Sequence, residues 1–174
     1  MILYPCATMR HIIGILLQNE SGALNRVAGL FSNRGYNIES LSVAPTEDPT
    51  LSRLTLVTTG SEGVIQQIVA QLHKLIDVVS VDDMTGDEHL ERELVLVKLE
   101  AAPAAQEALR GAVLAAGGRW LDAVGNRVIV ELTGSEAEVT AFVGQMARKA
   151  RLAEVVRGGA LALSRGSQGL RPDL

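Results

Sequence analysis

The chain has almost no cysteine and no long hydrophobic run, and both scarcities exclude classes of protein. Cys6 is the only cysteine among 174 residues, so no disulfide can form within the chain, and the reducing cytoplasm is the simplest location. No apolar run reaches the roughly 18 residues that a membrane-spanning helix needs. Residues 1–8 lack the charged start and apolar stretch of a signal peptide, and they are interpreted as an N-terminal extension before Met9.

Basic and aromatic residues are also scarce, which argues against a nucleic-acid partner. The formal net charge is −4, and neither half of the chain has the positive excess that nucleic-acid binding needs. Aromatic residues make up 3% of the chain, and its only phenylalanines, Phe31 and Phe142, fall in predicted helices. The central strands of the predicted sheets therefore lack the aromatic side chains that stack on RNA bases, and Tyr36 and Trp120 lie outside those central strands. We predict neither a nucleic-acid nor a membrane partner.

The residue patterns of common catalytic and metal sites are missing as well. The sequence contains neither a GxxxxGK[ST] loop nor a GxGxxG loop for phosphate binding. His11, His73 and His89 lie far apart, without partners at metal-ligand spacing, and the first two are predicted to lie on the surface. The acidic residues between 82 and 93 are interpreted as solvated charge around a linker. We predict no catalytic residue and no metal site.

The first half of the chain is predicted to have the element order β-α-β-β-α-β, which is the ferredoxin-like arrangement. Apolar runs and alternation predict the strands, and apolar residues that share one helical face predict the helices. The alternation places Ile38 on the opposite face of its strand from Leu41. The predicted elements are a strand at 12–17, a helix over 23–31, strands at 36–43 and 51–59, a helix over 64–75 and a strand at 78–81.

The second half repeats this order. The predicted elements are a strand at 93–100, a helix over 103–116, strands at 120–124 and 128–132, a helix over 135–149, and a last strand at either 155–156 or 161–163. Ser61 and Ser135 are predicted to cap the second helix of their halves. The predicted fold class is therefore α+β, with two tandem ferredoxin-like βαββαβ domains.

The predicted domain bounds follow from these elements. The first domain covers 9–83, an acidic linker covers 84–91, the second domain covers 92–166, and a flexible tail covers 167–174. A fragment from Met9 to about Asp83 contains all six predicted elements of the first domain, so we expect it to fold alone.

The stretch from Leu17 to Leu24 is the best candidate for a ligand site. A predicted strand ends there and a predicted helix begins, so free backbone N–H groups and the positive end of the helix dipole meet in one place. Such places bind anions, including the carboxylate of an amino acid. Gly22 would allow a ligand to approach the backbone closely. An ordinary strand-to-helix turn with Ser21 as N-cap explains the same residues, and the local pattern alone favours this explanation.

The segment from Asn19 to Arg53 closely resembles a known family. It reads NESGALNRVAGLFSNRGYNIESLSVAPTEDPTLSR, and it is similar to the small, regulatory subunit of acetolactate synthase, also called acetohydroxyacid synthase. The resemblance extends over residues 9–166 and is more specific in the first half. Further similar segments are QLHKLIDV at 71–78, RELVLVK at 92–98, ELTG at 131–134 and LSRG at 163–166.

The resemblance implies a fold and a role. It implies that 9–83 is an ACT domain, a ligand-sensing ferredoxin-like module, and that 92–166 is a domain of related topology. It implies a regulatory subunit without an active site that binds and activates the catalytic large subunit. The implied regulation is feedback inhibition by valine in the biosynthesis of valine, isoleucine and leucine. The cofactors, thiamine diphosphate, Mg and FAD, would belong to the catalytic partner, and none to this chain.

Two other functions remain open from the sequence. The chain could be a free-standing ACT protein that senses an amino acid and regulates a different enzyme. It could also be an enzyme in its own right, although the missing catalytic patterns disfavour this hypothesis.

The resemblance also implies a valine site that two chains share. The family's motif falls on Asn19, Gly22 and Asn37. The strand that begins near Ile38 is expected at a sheet edge, where a second copy can pair and form a homodimer. The expected site residues are Asn19, Ser21, Gly22, Ala23 and Leu24 from one chain, with Asn37 and Ile38 from the other.

Each part of valine has an expected contact in this site. The carboxylate would accept hydrogen bonds from the backbone N–H groups around Gly22, Ala23 and Leu24. The ammonium would bond to the side-chain carbonyl of Asn19 and to a backbone carbonyl near Ile38. The branched side chain would lie on Leu24 and Ile38.

Overall fold

The computed structural model describes residues 9–86, 88–166 and 169–170, and in these residues the order β-α-β-β-α-β occurs twice. The predicted extension at 1–8 and most of the predicted tail at 167–174 lie outside the described residues. The first set of elements is β1 (Met9–Gln18), α1 (Ala23–Ser32), β2 (Ile38–Pro45), β3 (Leu51–Gly60), α2 (Glu62–Leu72) and β4 (Val78–Asp83). The second set is β5 (His89–Glu100), α3 (Pro103–Ala115), β6 (Arg119–Val124), β7 (Arg127–Gly134), α4 (Glu136–Ala147) and β8 (Arg151–Arg157), followed by β9 (Leu161–Ser164).

The first sheet has the strand order β2-β3-β1-β4, with antiparallel neighbours throughout. Strand β1, one of its two central strands, is buried on both faces. One face of the sheet packs against α1 and α2. The apolar residues of each helix recur every three or four positions, as predicted, and therefore lie on the side that faces the sheet. The fully buried residues of this core include Ile13, Ile15, Leu17, Val27, Phe31, Leu54, Leu56, Ile65, Ile68 and Leu72. The predicted α+β ferredoxin-like fold is confirmed for this half.

A β-bulge changes the faces of β2. Ile38 pairs with Thr58, but Ser40 pairs with Val57, so one extra residue is inserted in β2. Because of this extra residue, Ile38 and Leu41 lie on the same face and both pack against the helix-side core. The prediction that they face opposite ways is therefore wrong, since strict alternation holds only in a strand without a bulge.

The second sheet has five strands, with the order β6-β7-β5-β8 and with β9 paired to β5, and it packs against α3 and α4. The residues fully buried in its core include Val95, Val97, Leu99, Val113, Val128, Val130, Val139 and Met146. Ser135 caps α4 as predicted, through a reciprocal capping box with Glu138. Ser61 stands at the N-cap of α2, but its side chain makes no capping hydrogen bond. The two predicted candidates for the last strand are both strands, since β8 contains 155–156 and β9 contains 161–163.

Strand β9 belongs to a different compact unit from β8. The first unit contains the described residues up to Leu90 together with those from Ala160 onward, and the second unit is Glu91–Gly159. Ala160 and Ala162 are buried with Ile12 and Val57, on the face of the first sheet that α1 and α2 do not cover. The second predicted domain, 92–166, includes β9, whereas in the structure β9 packs in the first unit.

Polar contacts also hold β9 in the first unit. Arg53 Nη2 donates to the carbonyl oxygen of Ala162 at 3.0 Å. Ser164 Oγ bonds to Asp82 Oδ2 at 2.8 Å. The first unit therefore uses two segments of chain that are far apart in sequence.

The predicted acidic linker is more structured than expected. Met84, the first residue of this linker, is fully buried beside Ile12, and the linker residues from His89 onward already belong to β5. His11 is fully buried too, with Nδ1 at 3.2 Å from Thr85 Oγ1. The prediction of a surface His11 is wrong because the chain after β4 continues alongside the start of β1 and covers this side chain.

Candidate functional site

The candidate ligand loop joins β1 to α1 and is tied at its start to the loop between β2 and β3. The backbone N–H of Asn19 donates to the carbonyl oxygen of Thr50 at 2.7 Å. Its side-chain Nδ2 donates to the carbonyl oxygen of Pro49 at 2.9 Å. This bond fixes the orientation of the amide, whose Oδ1 is the atom that can accept a hydrogen bond from a ligand.

Helix α1 begins at Ala23, directly after Gly22 and not after Ser21. Gly22 is the N-cap residue, with a left-handed φ of 88°, a conformation that glycine adopts without strain. No side chain caps this helix end, and the first turn contains no acidic residue. The prediction of Ser21 as N-cap is therefore wrong. Ser21 is exposed in the loop, and the helix end keeps N–H donors that no side chain has satisfied.

The backbone donors of the first turn are not equivalent. The N–H of Ala23 donates to the carbonyl oxygen of Glu20 at 3.2 Å, which closes the loop on itself. The side chain of Ala23 is buried in the helix-side core, whereas Leu24 is exposed. Ala23 thus serves mainly to fix the loop, which leaves the N–H groups of Gly22 and Leu24 as the better donors to an anion.

An ion pair that the sequence analysis missed lies directly beside this loop. Arg26 bonds to Asp77 through both Nε and Nη2, the second at 2.8 Å. The Asp77 side chain is only 5% exposed, and the hydrogen bonds from Arg26 hold the pKa of this carboxyl below its ordinary value. These residues are 51 positions apart, so no local pattern could have revealed the pair.

Asn37 and Ile38 lie at the opposite end of the sheet from the loop. Ile38 is level with Thr58 and therefore with His11, whereas the loop follows Gln18 at the other end of β1. Seven residues of strand separate His11 from Gln18, which corresponds to roughly 23 Å. The structure therefore does not bring the two groups of predicted site residues together within one chain.

Among the described residues, strand β2 has a neighbouring strand on only one of its two edges. It is the outermost strand of the first sheet, with β3 on its other side. Asn37 is exposed just before it, and its carbonyl oxygen accepts a hydrogen bond from Thr58 Oγ1 at 2.6 Å. Val43, near the end of β2, is an exposed apolar residue. An exposed strand edge with apolar side chains can pair with another strand.

Among residues 9–86, 88–166 and 169–170, no group of three or more His, Cys, Asp or Glu side chains is arranged to hold a metal ion. In the same part of the chain, no helix has both the length and the apolar character required to cross a membrane.

The fold and the loop define a class of protein, one with two ferredoxin-like domains and a candidate small-ligand loop in the first. A family model described as "AHAS small subunit-like ACT domain" matches residues 13–80. A second, described as "Small subunit of acetolactate synthase", matches residues 92–166. The chain belongs to the family of acetolactate synthase small subunits.

Several relatives are similar over nearly their whole length. The acetolactate synthase isozyme 3 small subunit of Salmonella typhimurium is 47% identical over 163 residues, covering 94% of this chain and all of that protein. Its namesake in Escherichia coli is 46% identical with the same coverage. The crystal structure of the acetolactate synthase small subunit from Thermotoga maritima superimposes with a TM-score of 0.82 at 33% identity, covering 92% of this chain and 99% of that one.

Proposed function

We propose that this chain activates the catalytic large subunit of acetolactate synthase and makes that enzyme sensitive to valine. The observation that carries the proposal is the loop before α1, where a left-handed Gly22 starts an uncapped helix in a chain of the small-subunit family. An uncapped helix start offers N–H donors and positive potential to a carboxylate. A regulator needs such a binding site and no nucleophile, because it acts through a coupling free energy between sites.

The valine site lies between two copies of the chain. Within one chain, Asn37 is too far from the Asn19 loop for both to touch one amino acid. If two β2 strands pair antiparallel about a two-fold axis, the partner's Asn37 moves to the end of the sheet that carries the loop. This pairing also covers the unpaired edge of β2 and the exposed Val43. The homodimer through the ACT domain is thus part of the proposed function.

The loop provides a separate contact for each part of the ligand. The valine carboxylate accepts hydrogen bonds from the N–H groups of Gly22 and Leu24, in the field of the helix dipole. The ammonium donates to Oδ1 of Asn19, whose orientation is fixed by the bond to Pro49. The side chain rests on Leu24 and on the partner's Ile38. Ser21 lines the loop and closes the polar side of the site.

Catalysis belongs to the large subunit in this proposal. The large subunit supplies thiamine diphosphate, Mg and FAD, and condenses the 2-oxo acids that lead to valine, isoleucine and leucine. The proposed location is the cytoplasm, which is supported by the single cysteine of the chain.

A reconstitution experiment tests the proposal. Acetolactate formation by the large subunit should increase when this chain is added and should then fall as valine is titrated. Calorimetry on the chain alone should show valine binding, and sedimentation should show a dimer. A large subunit that neither binds this chain nor responds to it would overturn the proposal and favour the free-standing ACT sensor.

A further inference from the structure

Asp77 contacts the chain on both sides of the candidate ligand loop. Before the loop, the N–H of Gln18 donates to the backbone carbonyl of Asp77 at 2.8 Å. After the loop, the Asp77 carboxylate accepts two hydrogen bonds from the guanidinium of Arg26. One residue in the turn between α2 and β4 thus fixes both ends of the segment from Gln18 to Arg26. We refer to Arg26 and Asp77 as the loop clamp.

The guanidinium of the clamp also covers Gly22. A Cβ atom built on Gly22 would lie 3.1 Å from Arg26 Nη1 and 3.7 Å from Cζ. The N–H of Arg26 donates to the carbonyl oxygen of Gly22 at 3.0 Å, as the first hydrogen bond of the helix. The guanidinium that Asp77 holds is therefore next to Gly22, whose N–H would donate to the ligand carboxylate.

We propose that Arg26 and Asp77 are positioning residues for the amino-acid effector, which fix the Asn19–Gly22 loop and keep a positive charge beside Gly22. This inference rests on the proposed function and adds two residues to the site. The clamp acts through geometry, because a bidentate guanidinium–carboxylate pair fixes distance and orientation together. It acts through charge as well, because Arg26 remains 45% exposed and its field reaches the ligand side of the loop.

The second unit contains a matched ion pair that serves as the control. Arg157 bonds to Glu93 through Nε at 2.9 Å and Nη2 at 2.5 Å. The arginine is 42% exposed and the carboxylate 6% exposed, nearly the same as in the loop clamp. Glu93→Gln and Asp77→Asn therefore remove equivalent ion pairs at equivalent burial, but only Asp77 contacts the candidate loop.

The experiment compares the two variants in the full-length chain by calorimetry with valine and by thermal denaturation. Both variants should lower the melting temperature by similar amounts. Asp77→Asn should weaken valine binding about tenfold, as expected for the loss of one charge-assisted hydrogen bond. Glu93→Gln should bind valine like the wild type. Equal valine affinity in Asp77→Asn and the wild type would overturn the inference.

Two additional measurements keep the test decisive. If Asp77→Asn does not fold, Arg26→Lys is used in its place, because lysine keeps the positive charge but cannot form a bidentate pair with the carboxylate. Wild-type valine affinity in Arg26→Lys would likewise overturn the inference. If the wild type binds no valine, the proposed function fails. Amide hydrogen exchange in the absence of ligand then tests whether Arg26 and Asp77 fix the loop. The N–H groups of Gln18 and Arg26 should then exchange faster in the clamp variant than in Glu93→Gln, and equal rates would refute the clamp.

Discussion

Replacing Gly22 with aspartate should abolish the response to valine, and the structure indicates the size of the effect. The new carboxylate would lie on the ligand side of the loop, where the valine carboxylate is expected. Two like charges about 4 Å apart near a protein surface repel by about 4 kcal/mol. The neighbouring Arg26 offsets part of this repulsion, so we expect the valine affinity to fall about 100-fold, which corresponds to about 2.7 kcal/mol.

The Gly22→Asp variant should still fold. A residue with a Cβ in the left-handed region is destabilised by about 1–2 kcal/mol, and aspartate tolerates this region better than most residues. The Cβ would also lie 3.1 Å from Arg26 Nη1, so the side chain of Arg26 must shift by a few tenths of an ångström. These losses are small beside the 5–15 kcal/mol that stabilises a typical domain.

Gly35 provides the matched control for this substitution. It also has a left-handed φ, 71°, and a Cβ built on it would meet no atom within 4 Å. Gly35→Asp should thus have a similar backbone strain and the same added charge, but wild-type valine inhibition. The assay is acetolactate formation by the large subunit across a valine titration, with calorimetry on the chain alone. Wild-type valine affinity in Gly22→Asp would refute the reasoning about this loop.

Three further predictions concern the dimer site, the clamp and β9. Asn37→Ala should weaken valine binding by about 1.5–3 kcal/mol in calorimetry, and an unchanged affinity would instead indicate a site within one chain. Arg26 lowers the pKa of Asp77, so the ion pair stabilises the fold fully above the ordinary aspartate pKa of about 4, and this stabilisation is lost as the pH falls through the lowered pKa. The melting temperature should therefore fall less steeply with acid in Asp77→Asn than in the wild type. Parallel curves for the two proteins would contradict this prediction. Ala162→Asp should reduce the free energy of unfolding in urea by about 3 kcal/mol, because it places a charge in an apolar core, whereas the same change at the exposed Leu163 should have little effect; equal losses would show that β9 does not cover the sheet.

The packing of β9 also changes the expectation for a fragment from Met9 to Asp83. Such a fragment keeps the six elements of the first sheet and its helices, but it lacks Ala160, Ala162 and Met84. Ile12 and Val57 would then be exposed to water on the outer face of the sheet. We expect the fragment to be less stable than the same region in the full chain, and equal stability in urea denaturation would show that β9 contributes little.

Local patterns were sufficient to predict the order of elements. The helices and strands follow from short-range periodicity, because each element buries one face of its own sequence. The capping box of Ser135 and Glu138 is equally local, since both residues lie within one turn. The likeness of Asn19–Arg53 to the small-subunit family added the identity of the first domain, which periodicity alone could not provide.

Apart from the N-cap of α1, the features that the sequence did not predict depend on distant residues or on a single inserted one. The bulge in β2 shifts the faces by one residue, and the alternation of Ile38 and Leu41 gives no sign of it. The Arg26–Asp77 pair and the burial of His11 arise only when β4 and the residues after it pack beside β1. The residue pattern of β9 is that of a strand, but its place in the first unit depends on which apolar face remains uncovered.

The return of β9 to the first unit sets an order for folding during synthesis. Domains generally fold as they leave the ribosome, with the N-terminal one first. Here the second unit, Glu91–Gly159, is continuous and is complete before β9 has been made. The first unit has to wait for Ala160 and Ala162, and until then Ile12 and Val57 remain uncovered. The N-terminal unit of this chain is therefore the last to be finished, and its half-covered sheet is the surface that a growing chain must keep from aggregation.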